Sequence, residues 1–291
     1  MQVILHCGAH STEEDRLLKT LLRNVDRFGD EGVAVPGPSQ YRNLLKDGMA
    51  RLLEQPGTPI SAAALWDQIL DGRAAERVIL SNPHFFGSQR RALDGHMLYP
   101  EAEARVRALQ ALFPADQLEL HIAIRDPGGF VPGLLENAGP DRINTIATEI
   151  SPQCLRWSNL FERLRQAAPE VAITTWCYED MPILWGRILR SMAGLEDGAR
   201  ISGGMDLLAS IMSSEGMRRL RQYLAQYDEL SEAHRQRIFV AFLDKYALED
   251  ELVEEVDMPG WTEEMLEQAT EMYDQDVARI SQMDGVTLLS L

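Results

Sequence analysis

The stretch Val3-Ile4-Leu5-His6-Cys7-Gly8-Ala9-His10-Ser11-Thr12-Glu13-Glu14-Asp15 decides how the rest of the chain is read. Three apolar residues make a short buried strand, and a turn containing Gly8 follows. Leu17, Leu18, Leu21, Leu22, Val25 and Phe28 then recur at helical spacing and line one face of a first helix. A strand that turns directly into a helix is the building unit of a parallel α/β sheet. It is also the layout of an anion site, because the unpaired N–H groups at a helix N-terminus carry partial positive charge. The side chains oppose that use. Ser11 and Glu14 have the spacing of a capping box. Glu13, Glu14 and Asp15 would each add roughly 0.3–1 kcal/mol to the helix by opposing its dipole. The same charges repel an anion: at ~5 Å and an effective dielectric of ~20, one carboxylate costs a monoanion about 3 kcal/mol. A cation held by these acids is a weaker reading, since adjacent helical residues point in different directions.

Working outward, further apolar runs read as buried parallel strands: Val78–Ser81, Leu118–Ile124 and Val171–Trp176, with a short one at Gly32–Val35. Helical patterns lie between them, one containing Met49, Leu52 and Leu53, another running from Ala102 to Leu112. Ser151-Pro152 has the form of a helix start, with Ser as the cap. Beyond Trp176 the pattern becomes helical over 183–192, 205–212, 217–227, 231–246 and 262–283, and Val286–Leu289 can return as a terminal strand. The expectation is an α/β fold: a parallel central sheet flanked by helices over residues 1–195, and a helical cap over 196–291 packed on it as one structural domain.

Composition narrows the function. The chain has 291 residues, 45% hydrophobic and 25% charged, with a net charge of −17. Between Ala247 and Asp276 there are 12 acidic residues and no basic one, which leaves −5 for the remainder. Nucleic-acid binding needs a basic surface and is not expected. The acidic block reads as a solvated helix face or as a docking surface for a basic protein partner. No apolar run reaches the roughly 18–20 residues of a membrane span, and no signal peptide is expected. Cys7, Cys154 and Cys177 show no metal-type spacing, so a reduced, cytoplasmic setting is expected.

His6-Cys7-Gly8-Ala9-His10-Ser11-Thr12 resembles the opening loop of bacterial members of the PAPS-dependent sulfotransferase superfamily. Their loop commonly reads His-x-Gly-x-His-Lys/Arg-Thr-Gly/Ala-Thr-Thr. His121-Ile122-Ala123-Ile124-Arg125-Asp126-Pro127 resembles the second signature of that superfamily, and Tyr178-Glu179-Asp180 after a strand resembles its last core segment. The resemblance covers roughly residues 1–195. It implies a P-loop-like fold, a phosphosulfate donor (PAPS, giving PAP) and a hydroxyl acceptor on a carbohydrate or small molecule. It also implies donor contacts at Gly8, His10, Ser11, Thr12 and Arg125, and a catalytic base after a core strand, for which His84 in Ser81-Asn82-Pro83-His84 is the candidate. His84 reads equally as a turn histidine, and Arg125 as a partner of Asp126 or Glu149.

The departures fall on the chemistry. Ser11 replaces a basic residue, Glu13-Glu14-Asp15 replace the Gly/Ala-Thr-Thr donors, and Gly133 stands where the resemblance implies a phosphate-binding Ser. The primary expectation is therefore a sulfotransferase-fold protein with a degenerate PAPS site, acting as a non-catalytic or repurposed binding protein. The alternative is an active, atypical sulfotransferase that brings Arg90, Arg91 or Arg142 to the loop. Acceptor loops would then lie around residues 36–60, 84–100 and 138–150.

Overall fold

A computed structural model describes residues 1–13, 15–227, 230–252 and 258–291. In chain order the elements are β1 (Gln2–His6), α1 (Arg16–Leu22), α2 (Val25–Asp30), β2 (Val33–Ala34), α3 (Pro38–Glu54), α4 (Ala62–Leu70) and β3 (Arg77–Ser81). A small hairpin, β4 (Leu93–Asp94) with β5 (Met97–Leu98), leads to α5 (Ala102–Leu112), β6 (Gln117–Ile124), α6 (Pro127–Leu135) and α7 (Pro140–Glu149). Then come α8 (Trp157–Ala167), β7 (Ala172–Cys177), α9 (Met181–Ala193), α10 (Asp206–Ser210), α11 (Ser214–Leu224), α12 (Glu232–Tyr246), α13 (Glu263–Ile280) and β8 (Val286–Leu289).

The main sheet has six strands in the order β2-β3-β1-β6-β7-β8, and every pairing in it is parallel. Strand alternation sorts its residues into two cores. Val3, Leu5, Val78, Leu80, Leu118, Leu120, Ile122 and Ile173 face one core with α3, α4, α5, α6 and α8. Ile4, Ile79, Ala123, Trp176 and Leu289 face the other with α1, α2 and α9. A third, smaller cluster (Leu208, Met212, Met217, Leu220, Phe239) knits α10, α11 and α12 together. The α/β architecture and the helical C-terminal region are as the periodicity predicts, and the strand runs fall within a residue or two of their expected bounds. Among the described residues no helix is long and apolar enough to cross a membrane.

Several local expectations need correction. The first helical stretch is two helices, broken at Arg23-Asn24. The Asn24 amide donates to the carbonyls of Thr20 (2.8 Å) and Ser202 (2.9 Å) and accepts the Ser202 N–H (2.8 Å). A distant loop therefore takes up this side chain where the helix would otherwise continue. Ser151-Pro152 opens only a single 3-10 turn over Pro152–Cys154, and Ser151 makes no side-chain cap. Most of residues 36–60 and 138–150 is helix, α3 and α7, not open loop. The acidic block is partly inward: Ala269, Tyr273 and Ile280 bury one side of α13, and Asp276 goes with them. Residues 253–257 of that block lie outside the described residues.

Asp276 ties the C-terminal helix to the core. Its carboxylate accepts the Ser158 N–H at 3.0 Å and the Ser158 hydroxyl, so it caps the first turn of α8 from another element. Asp276→Ala would leave a buried amide and hydroxyl without an acceptor, at a cost of about 2–3 kcal/mol. Urea unfolding is expected to show that loss, and the Asp276→Ala penalty should shrink clearly in a Ser158→Ala background. Equal penalties in the two backgrounds would mean that the hydroxyl bond contributes nothing.

Candidate functional site

In open parallel sheets, ligands bind beyond the carboxyl ends of the strands, where the strand order reverses. Here β1 lies between β3 and β6, so the reversal falls beside the end of β1. Three segments converge there: the 7–15 loop, Arg125-Asp126-Pro127 after β6, and Tyr178-Glu179-Asp180 after β7.

The loop does not open into a phosphate cradle. Past the end of β1 it stays bonded to β6: Cys7 N–H donates to the His121 carbonyl (2.9 Å) and Ala9 N–H to the Ala123 carbonyl (3.2 Å). The Ala123 N–H donates back to the Gly8 carbonyl (2.6 Å). Gly8 takes a left-handed φ of 94°, and a side chain there would press on the His10 amide at 3.1 Å. The Thr12 hydroxyl donates to the Ala9 carbonyl at 2.8 Å, which uses the hydrogen that a phosphate oxygen would need. Helix α1 starts only at Arg16, with no acid in its first turn, so Ser11 does not cap it. The expected partner in that box, Glu14, lies outside the described residues.

The acids fill the site themselves. Glu13 is buried, its carboxylate accepts the Asp15 N–H at 3.2 Å, and its carbonyl accepts the Arg16 N–H at 2.8 Å. The other Glu13 carboxylate oxygen lies 3.1 Å from His6 Nε2, off the line of a hydrogen bond. Burial and the neighbouring His121 push His6 down to about 3. Asp15 turns the other way, to Arg42 at 2.6 Å, and that hydrogen bond holds its carboxyl below the usual range. Glu13 and Asp15 thus point to different partners. No group of three metal-type ligands occurs among the described residues.

Arg125 locks the loop from the opposite side. Its guanidinium donates to the Ser11 carbonyl and lies 4.5 Å above the Tyr178 ring. Gly133 sits against this contact: a Cβ there would fall 2.8 Å from Ser11 Cβ and 3.3 Å from the guanidinium. A serine at position 133 would collide with the loop as it stands. Asp126 caps α6 by accepting the Gly128 N–H at 2.6 Å. Glu179 accepts the Asp126 N–H (2.9 Å) and the Tyr273 hydroxyl (3.1 Å), and burial raises its carboxyl above the usual range.

His10 and His84 form a relay with buried Tyr99. The Tyr99 hydroxyl accepts the His10 N–H and bonds His10 Nδ1, both at 3.0 Å; His10 Nε2 bonds His84 Nδ1 at 3.1 Å. The hydroxyl that accepts the amide can give its own hydrogen to His10 Nδ1; in that tautomer His10 donates from Nε2 to His84 Nδ1, and exposed His84 presents Nε2–H outward. Burial, then His84, push His10 down to about 4. Both ring nitrogens of His10 are occupied by protein.

On the other side of the loop lies a cavity of about 690 Å³, in the size range of small-molecule sites. Its polar lining includes Thr12, Glu13, Arg16, Arg125, Asp126, Glu179 and Glu251, and its apolar lining Met181, Ile183, Leu207, Ile211, Leu243 and Leu266. Gly8, His10, Ser11 and His84 do not line it. None of the basic residues that an active enzyme would recruit lines this cavity; Arg91 pairs with Glu101 at 2.8 Å, and Arg142 donates to the Arg90 carbonyl at 2.5 Å. Sequence reasoning missed Tyr99, Arg42 and His6 as parts of the site. Strand alternation could have found His6, which shares a sheet face with Ile4. No local pattern marks the other two. No protein-family model matches the chain, and no curated protein matches it.

The relay sets a pH dependence. His10 falls from an ordinary 6.5 to about 4 on folding, so the unfolded chain takes up the proton first as pH drops. Its contribution is complete above pH 6.5 and is lost as pH falls towards 4. In His10→Gln, the slope of unfolding free energy against pH in this window should drop by about 1.4 kcal/mol per pH unit. Identical slopes for variant and wild type in urea titrations would refute a neutral buried imidazole.

Proposed function

We propose that this chain is a divergent sulfotransferase-like protein whose phosphosulfate site is closed by its own carboxylates, and that it works as a binding protein. The observation that carries the reading is the Glu13 carboxylate on the Asp15 amide, at the place where a donor phosphate would sit. Phosphosulfate transfer needs N–H groups or cations on the oxygens that gain charge. In this loop the amides of Cys7, Ala9, His10, Asp15 and Arg16 already have protein acceptors, and the Thr12 hydroxyl donates internally. Arg125, which the resemblance assigns to the donor, instead holds the Ser11 carbonyl.

The 690 Å³ cavity beside the loop is the binding site in this reading. Its charged lining sets Arg16 and Arg125 against Glu13, Asp126, Glu179 and Glu251, a balance that disfavours a nucleotide with several phosphates. Its apolar wall suits a small molecule with a hydrocarbon or ring body. Exposed Glu249, Asp250, Glu263, Glu264, Glu267, Glu271 and Asp274 give the acidic segment a separate face for a basic protein.

One observation favours the second reading, an active sulfotransferase using PAPS on a carbohydrate or small-molecule hydroxyl. His84 is exposed just after a core strand, with two buried groups orienting its ring. In the tautomer with His10 donating to it, its outward nitrogen is a donor, so a base role needs both imidazoles in the other tautomer, with His84 Nδ1–H donating to His10 Nε2 and His10 Nδ1–H to the Tyr99 oxygen.

Thermal unfolding with millimolar PAP separates the two. A ligand at about 100 times its dissociation constant adds roughly 2.7 kcal/mol. Wild type is expected to show no PAP shift that Arg125→Ala removes. Ser11→Lys combined with Glu13→Gly, Glu14→Thr and Asp15→Thr should gain one. A wild-type shift abolished by Arg125→Ala, with sulfuryl transfer lost in His84→Ala, would replace the binding reading with the enzyme.

A further inference from the structure

A second cavity lies where α9 meets α11, α12 and the 194–205 loop, and its charge is opposite to that of the whole chain. It encloses about 360 Å³ and is lined by Arg190, Arg200, Arg221 and Arg235, with Asp206 and Glu232 as its only described acids. The volume is enough for about a dozen waters. Both acids are already committed. Asp206 pairs with Arg23 from the break between α1 and α2, and Glu232 pairs with Arg190 at 2.6 Å. Asp197 also acts on Arg190 through space. Arg200, Arg221 and Arg235 form no ion pair among the described residues, in a chain whose net charge is −17.

Two guanidinium N–H groups are left over. Arg190 Nε and Arg235 Nε are buried without a hydrogen-bond acceptor, and Arg190 as a whole is 5% exposed. Buried polar groups without partners are rare, and an ion or ligand at the site is one of the few physical reasons for them. The backbone makes room here as well. A Cβ on Gly186 of α9 would fall 3.1 Å from the Gly204 carbonyl and 3.3 Å from the Arg190 guanidinium. Glycine at 186 therefore lets the loop close over the arginines. The loop is pinned from outside by Arg27, which donates to the Arg200 carbonyl, and by the Asn24–Ser202 bonds.

We propose that this cavity binds a small phosphate-bearing molecule. A single guanidinium satisfies a planar carboxylate through its two parallel N–H groups. Guanidinium groups from four separate chain segments suit a tetrahedral group with three oxygens facing different ways. Ile183, Ile201, Met205 and Phe239 form the apolar part of the wall and leave space for a compact organic portion. The site is independent of the 7–15 loop; the two cavities share only Ile183 among their lining residues.

Inorganic pyrophosphate is the probe, titrated at constant ionic strength against sodium chloride and followed by thermal unfolding and calorimetry. A saturable rise of roughly 2–4 °C is expected, the shift that about 1 kcal/mol gives in a chain of this size class. Arg200 and Arg221 are exposed and outside any ion pair, so the double variant Arg200→Ala/Arg221→Ala should fold as wild type and weaken binding by about tenfold or more, roughly 1.4 kcal/mol. Arg125→Ala should leave pyrophosphate binding unchanged, which separates this site from the loop beside β1. No rise beyond the chloride control would overturn the proposal. So would a rise that survives in the double variant, or one that Arg125→Ala removes.

Discussion

Three backbone hydrogen bonds, Cys7 N–H to His121, Ala9 N–H to Ala123, and Ala123 N–H to Gly8, set the character of the region beyond β1. They keep the chain on the sheet past the end of its first strand. The turn that follows is short and compact, α1 begins late, and the amides of Cys7, Ala9, His10, Asp15 and Arg16 are spent on β6, on Tyr99 and on Glu13. Backbone polar groups in a dry interior must be paired. β6 claims two of these amides, and the side chains of Tyr99 and Glu13 take two more.

Side-chain electrostatics work in the same direction. Glu13 is buried at the amide of Asp15, Asp15 is drawn away to Arg42, and Arg125 is turned onto the Ser11 carbonyl. Each charge has a protein partner, so the region is a closed network and not an open patch of acid. Positive charge gathers instead beside α9, where Arg190, Arg200, Arg221 and Arg235 line one cavity.

Much of the fold was legible because buried parallel strands show as short, mainly apolar segments, and those at 78–81, 118–124 and 286–289 are such signals. Two of the failures share one cause: a partner far away in sequence. Asn24 ends a helix because Ser202 reaches it, and Asp276 turns inward because the first turn of α8 needs an acceptor. Ser11 could not cap a helix whose start was set by the β6 ladder. Of the candidate site, the loop and its excess of acid could be read from residues 6–15 alone. Tyr99, which fixes the His10 ring, and the arginine cavity, assembled from separate segments, could not, because neither leaves a local pattern.

The sheet is finished by residues drawn from the far side of a long helical excursion. β8 pairs with β7 through Ile173–Val286 to Trp176–Leu289, and between those partners the chain builds α9 to α13. During synthesis, β7 can dock on β6 long before its other edge has a partner. Until Val286 leaves the ribosome, that edge is an unsatisfied row of amides and carbonyls, the surface on which nascent chains stick to one another. A chain interrupted before that point would carry most of its core with an adhesive rim, so in a crowded cell it aggregates unless a chaperone holds it or a protease removes it.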